Sequence, residues 1–316
     1  MTSRMMAILL ALMLLTGCTP EREQGELFAP EYLDVLVVDA ALIVGQPLPP
    51  IKLTRTQAPN EPFDPAEAAE RNATMTVTVD QDTITYANSP ASPWIYWPEG
   101  PWPLVQPETT YELLVEIPGG ERLTARTTTP SVLAMEEWVL LNPSGTSELR
   151  TLRTFAEAGD AVYESPENQI DYAEGLVEGR IPLGGPEALN GYGYQLALFS
   201  LDLGSDYVID PPFFEEEDFE DLARQGSSPP LNGVDGGIRL PWFAIYYEGR
   251  HLYKIYVLDR NWYDLVRSIP QTDGGLGFGG NIGDAFDQPI FNISGGIGLF
   301  GSASVDSVGF YIHPGE

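Results

Sequence analysis

Apolar residues in this chain recur at every second position over short stretches, and turn-forming residues, often glycine or proline, close the stretches before a long helix can form. Met75-Thr76-Val77-Thr78-Val79 alternates in this way, and Asp80-Gln81-Asp82 turns it into Ile84-Thr85-Tyr86. A period of two places alternate side chains on opposite faces of a strand, so each stretch describes a half-buried strand. Ile51-Lys52-Leu53-Thr54-Arg55-Thr56 repeats the pattern, separated by Pro47, Pro49 and Pro50 from the β-branched run 33–44. Segments 111–117 and 122–127 flank Pro118-Gly119-Gly120-Glu121, a hairpin signal because glycine reaches positive φ without steric cost. The 32 glycines and 28 prolines fit a chain with many turns.

These signals predict an all-β protein. Short strands with turns roughly every ten residues over 29–130 describe an immunoglobulin-like or fibronectin-like sandwich. A second β-rich domain over 131–316 has its clearest strands at 192–199, 242–247 and 252–258, the last two turning through Glu248-Gly249-Arg250. One or two short helices are expected. The best runs over 261–269, where Trp262, Leu265, Val266 and Ile269 recur at helical spacing behind Asn261 as N-cap. A shorter helical candidate is 64–71.

The first twenty residues, MTSRMMAILLALMLLTGCTP, carry one positive charge at Arg4, an apolar run and small residues leading to Cys18. The run is shorter than the roughly 20 apolar residues a spanning helix needs, and it reads as a signal peptide over 1–17. Leu15-Thr16-Gly17-Cys18 resembles the lipobox of bacterial lipoproteins, which implies lipidation of Cys18 and a tether over 18–28. Cys18 is the only cysteine, so disulfides, thiolate metal sites and a cysteine nucleophile are excluded together. Thr19 in place of Asp favours the outer membrane over the inner, and which face of it the protein occupies stays open.

Forty-six acids against sixteen bases give a net charge of −30, which repels nucleic acid over a Debye length of about 8 Å at physiological salt. The densest acidic run, 215–222, reads as an acidic helix start and lacks the looped oxygen spacing of a calcium site. Two histidines, His251 and His313, with no H-E-x-x-H, do not make a catalytic zinc site, and His251 is expected at the surface beside its turn. No G-x-S-x-G nucleophile elbow occurs. No cofactor, metal or catalytic residue is expected, and the protein is read as non-enzymatic. Paired carboxylates of a glycosidase remain an outside alternative, because so many acids allow a close pair in space.

Gly296, Gly298 and Gly301 spell the G-x-G-x-x-G of a dinucleotide loop, but Ser302-Ala303-Ser304-Val305 behind them has strand character, not that of the required helix. The better expectation is close backbone packing beside a last strand, with Ile297, Leu299 and Phe300 filling space. The string Pro289-Ile290-Phe291-Asn292-Ile293-Ser294-Gly295-Gly296-Ile297-Gly298-Leu299-Phe300-Gly301, with the lipobox, the early strand and the hairpin at Tyr111, resembles a Bacteroidota-type lipoprotein family, domain of unknown function 4249. The resemblance implies no catalytic residues, and as partners a membrane held through lipid and a TonB-dependent outer-membrane receptor. The chain departs from that pattern in a Trp- and Pro-rich stretch. There Trp94, Tyr96, Trp97 and Trp102 are candidate binding residues in a proline-stiffened loop, either a stacking face for a glycan or an apolar anchor for a partner. The alternative is that these rings cover the sandwich or fill the domain junction.

Overall fold

The computed structural model describes residues 34–58, 62–101, 103–208, 223–232, 236–269 and 289–315. Strands dominate. The first seven are β1 (Leu36–Ile43), β2 (Ile51–Arg55), β3 (Thr74–Val79), β4 (Asp82–Ser89), β5 (Ser92–Pro98), β6 (Thr110–Glu116) and β7 (Arg122–Thr128). Alternation sets their inner faces: Leu36, Val38, Ala40 and Leu42 of β1, Met75 and Val77 of β3, and Tyr111, Leu113 and Val115 of β6 are all buried in one core. A one-residue slip would turn every one of these side chains outward, which is why the pattern fixes the register. The hairpin between β6 and β7 forms where expected, with Gly119 and Gly120 at φ 120° and 102°.

The remaining strands are β8 (Glu137–Leu141), β9 (Glu148–Thr151), β10 (Gln169–Asp171), β11 (Leu176–Arg180), β12 (Gly193–Ser200), β13 (Gln225–Ser227), β14 (Gly237–Arg239), β15 (Gly249–Leu258) and β16 (Ile297–His313). Among the described residues two short α-helices, α1 (Phe155–Ala158) and α2 (Arg260–Ser268), join them. The main sheet runs β13-β12-β15-β16-β1-β2-β5-β4-β3-β6-β7, with β10 also on β16, and a four-stranded sheet β14-β11-β8-β9 packs over its far half. Trp138 of the small sheet meets Tyr253 of the large one edge to face, at 5.5 Å between ring centroids.

β16 is 17 residues long and, at about 3.3 Å per residue, passes through both halves of the molecule. Its first part pairs in parallel with β1, from Val37 opposite Ile297 to Ile43 opposite Ala303. Its remainder pairs antiparallel with β15, from Leu258 opposite Ala303 to Gly249 opposite Ile312. Accordingly Phe300 lies in the first core, whereas Val308, Phe310 and Ile312 lie in a second core built from residues beyond 130. The first core draws mainly on residues before 130, with Ile293 and Phe300 from the far end of the chain, and one sheet is continuous through both cores. β7 then returns to the chain ahead of β16, with paired backbone hydrogen bonds between Thr124 and Ser294.

The glycines of the dinucleotide-like string serve this approach. A Cβ on Gly296 would stand 2.6 Å from the Leu36 carbonyl oxygen, and one on Gly298, at φ +111°, would fall onto the Val38 carbonyl oxygen. Gly298 and Gly301 are inside β16 itself, so no helix N-terminus follows them.

Four local expectations are corrected. Segment 64–71 makes a single turn, with the Asp64 carboxylate accepting from the Ala66 amide at 2.7 Å, and does not continue as a helix. Residues 242–247 do not form a strand: Trp242–Ala244 is a 3-10 turn behind Pro241, because a short run that is apolar throughout carries no period to favour either form. The chain does not turn back at Glu248-Gly249-Arg250 either; β15 begins at Gly249. The first part of the Trp-rich stretch, Ser92–Pro98, is not a loop but strand β5, paired with β4 and β2. Trp-Ile-Tyr-Trp suits a pleated surface, and the prolines sit near the strand ends, where a missing N–H is tolerated.

Gly298→Ala is expected to destabilise the fold by about 3 kcal/mol, against no more than about 0.5 kcal/mol for Gly204→Ala, whose Cβ would enter open space. Urea unfolding of the two variants checks this.

Candidate binding site

Helix α2 begins at the seam between the two cores. Its N-cap is Asp259, not the expected Asn261, and the Asp259 Oδ1 accepts from the Trp262 amide at 2.9 Å. The other carboxylate oxygen accepts from the Thr127 hydroxyl of β7 at 2.5 Å. Thr127 has one proton to give, so the Ser302 hydroxyl of β16, 2.7 Å away, donates to it when Asp259 is charged. The Asp259 amide also donates to the Ser302 carbonyl at 2.9 Å. Three residues distant in sequence thus form one buried polar knot between β7, β16 and α2.

Burial pushes the Asp259 carboxyl up to about 6, against the pull of the Thr127 hydroxyl and the backbone amides around it. The native state therefore holds this proton more tightly than the unfolded chain. The stability that follows is present below about pH 4 and is lost as pH rises to about 6. Both Asp259 oxygens accept hydrogen bonds within the protein, which suits a cap and a cleft floor better than a group that exchanges protons with a substrate.

Above the knot opens a cleft of about 690 Å³, lined from β7 by Arg126 and Thr128, from the connection before β12 by Glu187, Asn190 and Tyr192, and from α2 by Arg260. Asn261 braces it, its side-chain amide donating to the Arg126 carbonyl at 2.7 Å. Asn190 reaches Glu108 at 2.6 Å and Ser131 at 3.1 Å. The Arg260 guanidinium lies 5.9 Å from the Tyr192 ring centroid, and Tyr192 remains 48% exposed. A second cleft, of about 700 Å³ and within the carboxy-terminal half, is lined by Tyr163, Gln169, Arg250 and Tyr311. Its Arg250 is already ion-paired with Asp202 at 2.6 Å.

The aromatic candidates do not form one face. Tyr96 is 1% exposed; its hydroxyl donates to the Glu70 carbonyl at 2.8 Å and accepts from the Ala73 amide. It is a core residue and is withdrawn as a binding residue. Trp97 points outward and is 52% exposed, while Trp94 is half-buried. Trp102 and Cys18 lie outside the described residues, as does the acidic run 215–222.

His251 is not at the surface. It is buried against Phe310, with its ring parallel at 5.7 Å. Its Nδ1 donates to the Gly249 carbonyl at 2.9 Å, which leaves Nε2 to accept from the Ser200 hydroxyl at 2.9 Å. Burial lowers its pKa to about 4, so the ring is neutral at pH 7. Among the described residues no group of three or more His, Cys, Asp or Glu is placed to hold a metal ion, and no helix is long and apolar enough to cross a membrane.

Asp259 is as good an N-cap type as Asn261, but Asn261 directly precedes the first apolar residue of the run, Trp262, whereas Asp259 stands two residues further back. The cleft carried none, because Arg126, Glu187, Tyr192 and Arg260 come from three distant segments.

Thr127→Val removes a donor to a buried carboxylate. The Asp259 pKa should rise above 6 and stability should fall by about 1–3 kcal/mol, with the loss larger at pH 8, where the carboxylate is charged, than at pH 5. Denaturant unfolding at the two pH values, with a carboxyl NMR titration, reads both effects.

No curated protein matches the chain. Residues 27–174, which take in β1 to β10 and so the first core without its carboxy-terminal strand, match the model of a family described as a domain of unknown function, DUF4249, and this stretch of the chain is a DUF4249 region.

Proposed function

We propose that the protein is a lipid-anchored component of the bacterial outer membrane, one that binds rather than transforms its ligand and serves as accessory to an outer-membrane receptor. The observation that carries this reading is Cys18, the only thiol in the chain, placed at the end of a lipobox-like string behind an apolar leader. Several acyl chains on one residue hold a protein stably to a bilayer, at about 0.8 kcal/mol per buried CH₂. The strongly acidic composition favours a solvated body held near a membrane by its lipid, since anionic headgroups would repel it. The receptor partnership rests on the resemblance to the lipoprotein family.

A second reading, a carbohydrate-binding surface protein, is favoured by the outward-facing Trp97 of β5. The enzymatic alternative would use two carboxylates in one cleft. Glu187 and Asp259 do line the same cleft, but the two Asp259 oxygens are engaged by Thr127 and the Trp262 amide, which favours binding over hydrolysis.

Crosslinking in intact envelopes tests the first reading. The wild-type chain should sediment with the outer membrane and capture a receptor, whereas Cys18→Ser should be released to the soluble fraction; a variant that still sediments refutes the anchor. For the second, a glycan array is compared between the parent and a Trp94→Ala/Trp97→Ala double variant. Unchanged binding, or none by the parent, removes a sugar site on β5.

A further inference from the structure

We infer that the cleft at the seam of the two cores, walled by Arg126, Glu187, Tyr192 and Arg260, is a binding site for a neutral saccharide. This goes beyond the anchor reading and does not depend on it. It also places the site away from the aromatic strand β5.

The space fits such a ligand. At about 690 Å³ the cleft lies within the few-hundred to 1,000 Å³ range typical of small-ligand sites, and it sits at a junction between two cores, where such sites concentrate. Its frame is preformed. The Asn261–Arg126 and Asn190–Glu108 hydrogen bonds and the Thr127–Asp259 knot already hold β7, the segment before β12 and α2 together. A ligand therefore meets walls whose ordering cost has been met by folding.

The lining decides the class. Tyr192 offers an exposed ring that an apolar pyranose face can cover, and its neighbours supply both donors and an acceptor for hydroxyls: two guanidiniums and one carboxylate. Arg126 is held only loosely by Glu112, at 3.9 Å, and Arg260 gives its Nε–H to Asp264 at 3.3 Å; both arginine side chains are more than two-thirds exposed, which leaves their remaining guanidinium donors for a ligand. A strongly anionic ligand would meet Glu187, Glu112 and Asp264 on a chain of net charge −30. A cationic one would meet the two guanidiniums. A neutral polyhydroxylated ring satisfies both signs at once.

The full-length chain in detergent is applied to an array of neutral gluco-, manno-, galacto- and xylo-oligosaccharides, and the strongest binder is then titrated by calorimetry. Tyr192→Ala should weaken binding at least about tenfold and Arg260→Ala about fivefold, while Trp94→Ala/Trp97→Ala stays within about twofold of the parent. Thermal unfolding confirms that each variant is folded; Tyr192 and Arg260 are both exposed, so neither change opens the core. No binding of any array oligosaccharide at millimolar concentration, an unaffected Tyr192→Ala, or a loss confined to the tryptophan variant would each overturn the assignment. None of these results bears on the anchor, which is read by fractionation alone.

Discussion

The parallel ladder between β1 and β16 is the contact on which the rest of the molecule depends. The first core cannot close on its own strands, since Phe300 and Ile293 come from the far end of the chain. The same strand then pairs with β15 and enters the second core. Neither half is complete without it, so the two cores share one backbone element whose position is set by carbonyl-to-glycine approach at Gly296 and Gly298. Any side chain at those points would push β16 away from β1 and separate residues that both cores need.

Closure at the seam follows from this threading. Once β16 lies against β1, Ser302 comes to Thr127 on β7, and the start of α2 is drawn to the same spot through the bond between the Asp259 amide and the Ser302 carbonyl. A buried carboxylate is tolerated there because a hydroxyl and helix-end amides replace the water it has lost. The cleft above the knot is what remains between three segments brought together by that arrangement. His251 follows the same rule inside the second core, where a carbonyl and a hydroxyl occupy its two nitrogens and burial keeps the ring neutral.

The strands were largely legible because period two is local. Met75 and Val77, Tyr111 and Leu113, and Leu123 and Ala125 face inward as their alternation demanded, and Gly119-Gly120 turned the hairpin. Where the pattern lacked a period it misled: 242–247 is apolar throughout, and Trp94 to Trp97 looked stiffened by prolines when its residues prefer a pleat. Tyr96 shows the limit for single residues. An aromatic ring with a hydroxyl suits a surface and a core alike, and only the nearby Glu70 carbonyl and Ala73 amide, supplied by another part of the chain, settled that it turns inward.

By itself, then, the sequence determined that this is an all-β chain, strongly acidic, with one thiol, and that Gly296, Gly298 and Gly301 lead into a strand and not into a helix, because alternation, charge and the absence of a Cβ act within a few residues. The tertiary structure alone decided that β16 serves two cores, that Thr127, Asp259 and Ser302 meet, and that Arg126, Tyr192 and Arg260 wall one cleft. Those contacts join residues more than a hundred positions apart in places. Local periodicity carries no record of which distant carbonyl or hydroxyl will satisfy a buried group, since that is fixed only when the chain closes on itself.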